Sequence, residues 1–356
     1  MKNIWGYLKG FILKHSSAIT GIIAVILLQQ IISFGGKEFM LTQLTMSAYY
    51  SLVVVGLCML MGYAGQISMG QAGFFAIGGY VSAVLTTQNL AVYKDTAVLK
   101  VLGTIGIIVK SNDIYGSTLY YLSPMLALIL AVVITLGIAY IIGVPVLKLK
   151  GHYLAMATLG FGTIIYRIAL GTKIFGEADG ISSVPGFTLI PGLLQVTGQT
   201  GFKVQNYYIA WILVITGIII AQNIINSRVG RALRSLHSGE DAAESVGINV
   251  SKYKLYIFII SAAFAAVAGV FLTHYNGGIG PSEAGVMKSV RYVSIVAVGG
   301  MANIWGTVII GTLLNFLSLR GYFGSYDDIV FGAILIAIML FTPDGILRKF
   351  SFRKKA

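Results

Sequence analysis

The residues that most often carry chemistry are sparse and scattered in this sequence. His15, His152, His237 and His274 lie too far apart to read as a metal set, and the one cysteine, Cys58, sits in an apolar run where it reads as a small buried hydrophobe. No nucleophile is grouped with a base, and the phosphate-cradling pattern GxxxxGK[ST] is absent. Neither enzymatic hydrolysis nor direct nucleotide binding through that loop is expected, and no cofactor or metal is called for. The polar chemistry lies instead in residues 62–80, GYAGQISMGQAGFFAIGGY, where six glycines together with Gln66, Ser68 and Gln71 interrupt an apolar stretch. Uncharged amides and hydroxyls can exchange hydrogen bonds with a passing polar solute without trapping it, so Gln66, Ser68 and Gln71 are candidates for lining a translocation route.

Two further segments carry clustered polar groups. Residues 226–254 read NSRVGRALRSLHSGEDAAESVGINVSKYK, with five basic and three acidic side chains. Ser238 followed by Gly239, Glu240 and Asp241 reads as a helix start with acids in its first turn, and Gly247 reads as the stop, in a left-handed conformation. The expected product is a short exposed helix whose small residues Ala242 and Ala243 fit a groove on another protein. Residues 171–205 hold Glu177, Asp179, Gly180 and Pro185, and a structureless loop of that length is uncommon unless it has a function.

Apolar elements must hold these segments. Hydrophobic residues make up 56% of the chain and charged residues 10%, with mean hydropathy +0.85. So few charges cannot coat a soluble surface of this size, so the solvent is a lipid bilayer and the fold class is an all-α polytopic membrane protein, one transmembrane domain over residues 1–356. Uncharged gaps locate the spans: 16–36, 39–93 with room for two, 114–147, 152–166, 204–227, 255–282, 292–319 and 329–343. Lysines 2, 9 and 14 precede the first gap and Arg348, Lys349, Arg353, Lys354 and Lys355 follow the last, so both termini read as cytoplasmic. An even number of crossings then requires 292–319 to be a hairpin of two short helices, giving about ten spans. The first gap reads as an uncleaved span rather than a signal peptide, despite the small-x-small site Ser33-Phe34-Gly35.

In this arrangement 15 of the 25 basic residues fall inside, so segment 226–254 is cytoplasmic and 171–205 external. The net charge of +13 follows from that bias and calls for no nucleic acid. Almost no ionisable residue is expected at mid-membrane depth, where proton- or ion-coupled carriers usually keep their relays.

Four collinear motifs carry a family resemblance from about Leu41 to Leu347: GYAGQISMGQAGFFAIGGY, the outer ADGISSVPG, the inner GRALRSLHSGEDAAESVGINVSKYKL, and VGGMANIWGTVIIGTLL followed by TPDGIL. They resemble the LivM-type permease subunit of branched-chain amino-acid ABC importers. The resemblance implies a multi-pass protein of the bacterial cytoplasmic (inner) membrane. It would act with a second, LivH-like permease, two cytoplasmic ATPases that use the ATP, and an extracytoplasmic substrate-binding protein, to import leucine, isoleucine and valine. It further implies that Arg231, Glu240, Asp241, Ala242, Ala243, Glu244 and Gly247 belong to the segment coupling the permease to its ATPases. Here Asp241-Ala242-Ala243 stands in place of the strict Glu-Ala-Ala form. Glu177, Asp179 and Pro185 would form part of the dock for the binding protein. Relatives in the same superfamily are thought to carry urea or short amides, and an autonomous secondary transporter or channel is the rival of another class.

Overall fold

The computed structural model describes residues 16–88, 108–112, 118–190 and 194–341. The terminal lysine and arginine clusters and the TPDGIL motif lie outside the described residues. The chain is built from helices, as its apolar gaps require: α1 (Ser16–Phe34), α2 (Phe39–Ala64), α3 (Gln71–Thr87), α4 (Pro124–Val146), α5 (His152–Gly171), α6 (Lys203–Asn226), α7 (Arg228–Ser238), α8 (Glu240–Ser245), α9 (Val250–Asn276), α10 (Val286–Gly299), α11 (Ile304–Leu319) and α12 (Asp327–Phe341). Five stretches, containing α2, α4, α5, α6 and α9, are long and apolar enough to cross a bilayer, and α1 and α11 are shorter apolar helices. The chain is an all-α, multi-pass membrane protein.

Helix α2 is apolar on every side and is accordingly buried on every side, with 94% of its most apolar window inside the protein. Helices α6, α9 and α11 lie against it, and α9 also packs along α3 and α4. Close approach explains much of the glycine. At the α3–α9 crossing a Cβ on Gly78 would stand 2.5 Å from the Ala266 carbonyl oxygen, and one on Gly269 would collide with the Phe75 carbonyl. In α4 the buried positions Ala127, Ala131, Thr135, Ala139 and Gly143 recur every fourth residue and form one narrow stripe of small side chains. Ile129, Val133, Tyr140 and Ile141 on the other faces are exposed, as lipid contact demands. Cys58 is fully buried, as expected, and its thiol donates to the Met301 carbonyl at 3.2 Å.

The span expected over 292–319 is a helical hairpin, α10 and α11, turning at Gly300–Asn303, where Asn303 caps α11 by accepting from Gly306 N at 3.1 Å. Helix α10 starts earlier than expected, at Val286, and so includes Lys288 and Arg291. Segment 114–147 also differs, because the antiparallel strands β1 (Ile108–Asn112) and β2 (Thr118–Leu122) precede α4.

The segment 171–205 is not structureless. It holds a 3-10 turn at Lys173–Phe175 and strands β3 (Ile181–Ser182), β4 (Phe187–Ile190) and β5 (Leu194–Val196), with β4 and β5 antiparallel. Strand β3 pairs with β6 (Gly278–Ile279), immediately after α9. His274, near the end of α9, bridges the same region: one ring nitrogen is 2.6 Å from the Pro185 carbonyl oxygen and the other 2.7 Å from the Ser82 hydroxyl of α3. This histidine is a structural bracket tying three segments together.

Candidate functional site

Helix α2 ends on Gly65, which adopts φ +66 and so reverses the chain with the left-handed geometry that glycine takes without strain. The backbone from Gly65 to Gly70 then runs without regular structure, its side chains alternating outward and inward. Ile67 is half exposed, whereas Gln66 and Ser68 are 2% and 1% exposed and Gln71, opening α3, is fully buried. Neighbours take up the interrupted backbone: Gln66 N donates to the Leu60 carbonyl, Met69 N to the Thr158 hydroxyl at 3.0 Å, and Ala72 N to the Ser289 hydroxyl of α10 at 3.3 Å. The side-chain amides are treated differently. Neither the oxygen nor the nitrogen of Gln66 or of Gln71 has a partner among the described residues. Leaving a buried amide unpaired costs about 1–3 kcal/mol, so two such glutamines are poor structural choices and apt ones for meeting a polar solute.

Beside the end of α2, where His237 packs against Gly65 and Arg234 lies over the Tyr63 ring, α7 is strongly amphipathic. Ser227 caps it by accepting from Val229 N at 3.1 Å, and Gly230, Ala232, Leu233 and Leu236 face the protein while Arg231 is exposed. The expected helix after it exists as α8, with two corrections to its start and its faces. Ser238 does not begin it, because its hydroxyl donates back to the Arg234 carbonyl within α7; extended Gly239 stands at the junction instead. Ala243 is 2% exposed and faces the chain's own interior, so it is not free to seat in a partner's groove. Glu240 turns the same way and pairs at 2.5 Å with Lys254, whose side chain is 4% exposed. The outward face is Asp241, Ala242, Glu244, Ser245 and Val246, the last 73% exposed. Gly247 is left-handed at φ +82, as expected, and ends the turn. Asp241 also reaches Lys150 at 3.2 Å, and its hydrogen bond and charge raise the lysine's pKa, though a pair this exposed adds little stability.

Glu177 and Asp179 sit on a tight turn, where Asp179 N and Gly180 N both donate to the Gly176 carbonyl. Glu177, at φ +52, and Asp179 project into solvent, and Pro185 is half-buried beside His274.

Charge inside the bundle was missed in the sequence. The 3-10 turn Pro281–Ala284 and the first turns of α10 place Glu283, Lys288 and Arg291 against α2 and α12, contrary to the expectation of spans nearly free of ionisable groups. Arg291 binds the Ser318 hydroxyl at 3.0 Å and Asp328 at 3.2 Å, and Ser318 donates to Asp327. Lys288 and Glu283 meet at Tyr50, in the interior of α2.

The sequence profile of the family described as "Branched-chain amino acid transport system / permease component" matches residues 39–339, most of the chain. The chain belongs to this family. Within it the chain is similar to the high-affinity branched-chain amino acid transport system permease protein LivM of Salmonella typhimurium, 28% identical over 85% of this chain and 68% of the relative. It is also 28% identical to the LivH permease protein of Escherichia coli K12, over 86% of this chain and 94% of the relative. To the BraD permease protein of Pseudomonas aeruginosa it is 26% identical over 85% and 93%. No solved structure matches it. The resemblance read from the four motifs therefore holds, and the chain is a LivM-type transport permease component.

Proposed function

We propose that this permease component is one membrane subunit of an ATP-driven ABC importer that moves leucine, isoleucine and valine across the cytoplasmic (inner) membrane. It crosses about ten times, with both termini and residues 226–254 in the cytoplasm and residues 171–205 outside. A second, LivH-like permease completes the membrane unit, two cytoplasmic ATPases dock at α8, and an external binding protein delivers the amino acid to the face carrying Glu177, Asp179 and Pro185. The observation that carries this reading is the two-ended construction of α9, together with the family match. Lys254 ties its start to the dock helix α8, and strand β6 ties its end to the outer sheet. The deciding experiment is uptake in proteoliposomes by the co-purified complex with its binding protein. Uptake of branched-chain amino acids that needs ATP supports the reading; uptake of urea or short amides instead, or by this chain alone on an ion gradient, overturns it.

Topology can be read with thiols, because the native Cys58 is buried and stays silent. Cysteines placed at Ser182 and at Ser245, both exposed, should react with an impermeant maleimide in intact cells only at Ser182. Equal labelling of the two would remove the proposed sidedness.

Gln66, Ser68 and Gln71 line the route in this reading. The unpaired amides of the two glutamines yield a sign that a packing role would not: Gln71→Met should leave the melting temperature unchanged or raise it, since an unsatisfied buried amide is removed, while uptake falls several-fold. A stability loss with normal uptake per folded complex would return the residue to the structural core.

A further inference from the structure

The most unusual polar group in the bundle is the cluster of Glu283, Lys288 and Tyr50. The Lys288 ammonium donates to Glu283 Oε1 at 3.0 Å and to the Tyr50 hydroxyl at 3.1 Å, and lies 4.6 Å from the centroid of the Tyr50 ring. The Tyr50 hydroxyl in turn lies 3.1 Å and 3.3 Å from the two Glu283 oxygens. Tyr50 is the twelfth residue of the 26-residue α2, ~17 Å from its first residue and ~21 Å from its last, so the cluster lies near mid-depth. An ion pair at that depth is costly, and a shell of apolar residues would serve stability at least as well. Tyr50 is buried, yet the Glu283 and Lys288 side chains keep 19% and 22% of their surface accessible. Ser289, next to Lys288, accepts from Ala72 N, so the pair abuts the first turn of α3, where the unpaired amide of Gln71 lies.

We infer that Glu283 and Lys288 are a contact site for the charged ends of a zwitterionic α-amino acid on its way through the permease. The inference rests on the amino-acid transport reading given above. An ammonium and a carboxylate of one solute match this pair in charge: Glu283 takes the ammonium and Lys288 the carboxylate, one ion pair opening to become two. The arrangement stays electrically neutral throughout, and no charge is left without a partner at mid-depth. When the solute leaves, the protein pair closes again, with the Tyr50 hydroxyl holding both groups in place. A lone inorganic cation or anion would satisfy one group and strand the other, so the same pair opposes ion leak.

Single and double neutralisation separate a solute contact from a structural strut. In the reconstituted complex, Glu283→Gln or Lys288→Gln alone strands the opposite charge, so both melting temperature and uptake fall. The double variant Glu283→Gln with Lys288→Gln removes that penalty and should melt like the wild type while its maximal uptake rate of leucine stays at least tenfold low. The apparent KM should be unchanged, because the binding protein sets it. Tyr50→Phe, which keeps the ring, should also retain stability and lose part of the uptake rate. Recovery of uptake together with stability in the double variant, or its failure to assemble, makes the pair a strut and overturns the proposal. Wild-type uptake of an uncharged solute in place of amino acids overturns the transport reading and this site with it, whereas amino-acid uptake indifferent to the double variant overturns the site alone.

Discussion

Replacing Gly62 by valine should prevent the purified permease from holding its fold. Gly62 lies in the last turn of α2, and a Cβ there would coincide with the Met301 carbonyl, at the turn between α10 and α11. The obstacle is backbone, so no side-chain rotation relieves it. The turn has nowhere to retreat, since Cys58 holds the Met301 carbonyl and the Tyr63 hydroxyl holds the Ala302 carbonyl at 2.7 Å. Both bonds would be lost along with the contact, and we expect a cost above ~3 kcal/mol, in the range reserved for overpacking against an immovable neighbour. Gly137→Ala is the control: it is also mid-helix, but nothing lies within 4 Å of its added Cβ, so stability should hold or rise by up to ~1 kcal/mol. Thermal unfolding of the detergent-purified chain reads both, and a Gly62→Val protein that melts with the wild type would show that the hairpin does not seat on α2.

The second large effect concerns α8, and its two alanines should behave differently. Ala242 faces outward, so Ala242→Trp should leave the permease folded, abolish co-purification of the ATPases and cut uptake at least tenfold. Ala243 faces inward beneath α8, so Ala243→Trp should act first on the fold, lowering stability by about 1–3 kcal/mol through overpacking. Val246→Asp, which charges the most exposed apolar group of this segment, should imitate Ala242→Trp. Detergent co-purification, melting and vesicle uptake measured on the same preparations distinguish the two classes. Normal uptake in Ala242→Trp and Val246→Asp together would remove α8 as the coupling contact.

Much of the bundle was legible because hydropathy acts at the length scale of a whole span. The stretch 292–319 had to be two short helices on parity grounds, and its glycine pair Gly299-Gly300 does mark the turn. What escaped has one physical cause. Gaps between charges define spans by where charges are not, so an ion pair inside a helix is read as the helix's edge. The uncharged gap therefore begins at Tyr292, whereas the helix begins at Val286 and carries Lys288 and Arg291 within it. Glu283 has Lys288 five residues away, but the contact that places the pair in the interior is with Tyr50, more than two hundred residues away. The inner helix failed in a finer way. Its existence and its stop at Gly247 follow from local backbone preference, but which of Ala242 and Ala243 faces out depends on Lys254 drawing Glu240 inward, a tertiary contact that no window of sequence contains. Gln66 and Gln71 stand out in the sequence as polar interruptions of an apolar stretch, yet only the fold shows that their amides are without partners among the described residues.

Helix α9 has a thermodynamic consequence. It is one unbroken element of 27 residues, ~40 Å long, fastened at its first turn to α8 through Lys254 and at its end to the outer sheet through β6. If the tilt of that rod differs between two states, anything gripping either end biases the same equilibrium, and linkage makes the bias symmetric. A receptor that binds the outer sheet tenfold more tightly in one state contributes ~1.4 kcal/mol toward it. In the proposed complex the nucleotide state of the ATPases would then alter receptor affinity by the same factor as the receptor alters theirs. Cutting Lys254 loose from Glu240 should make each end deaf to the other while leaving both able to bind.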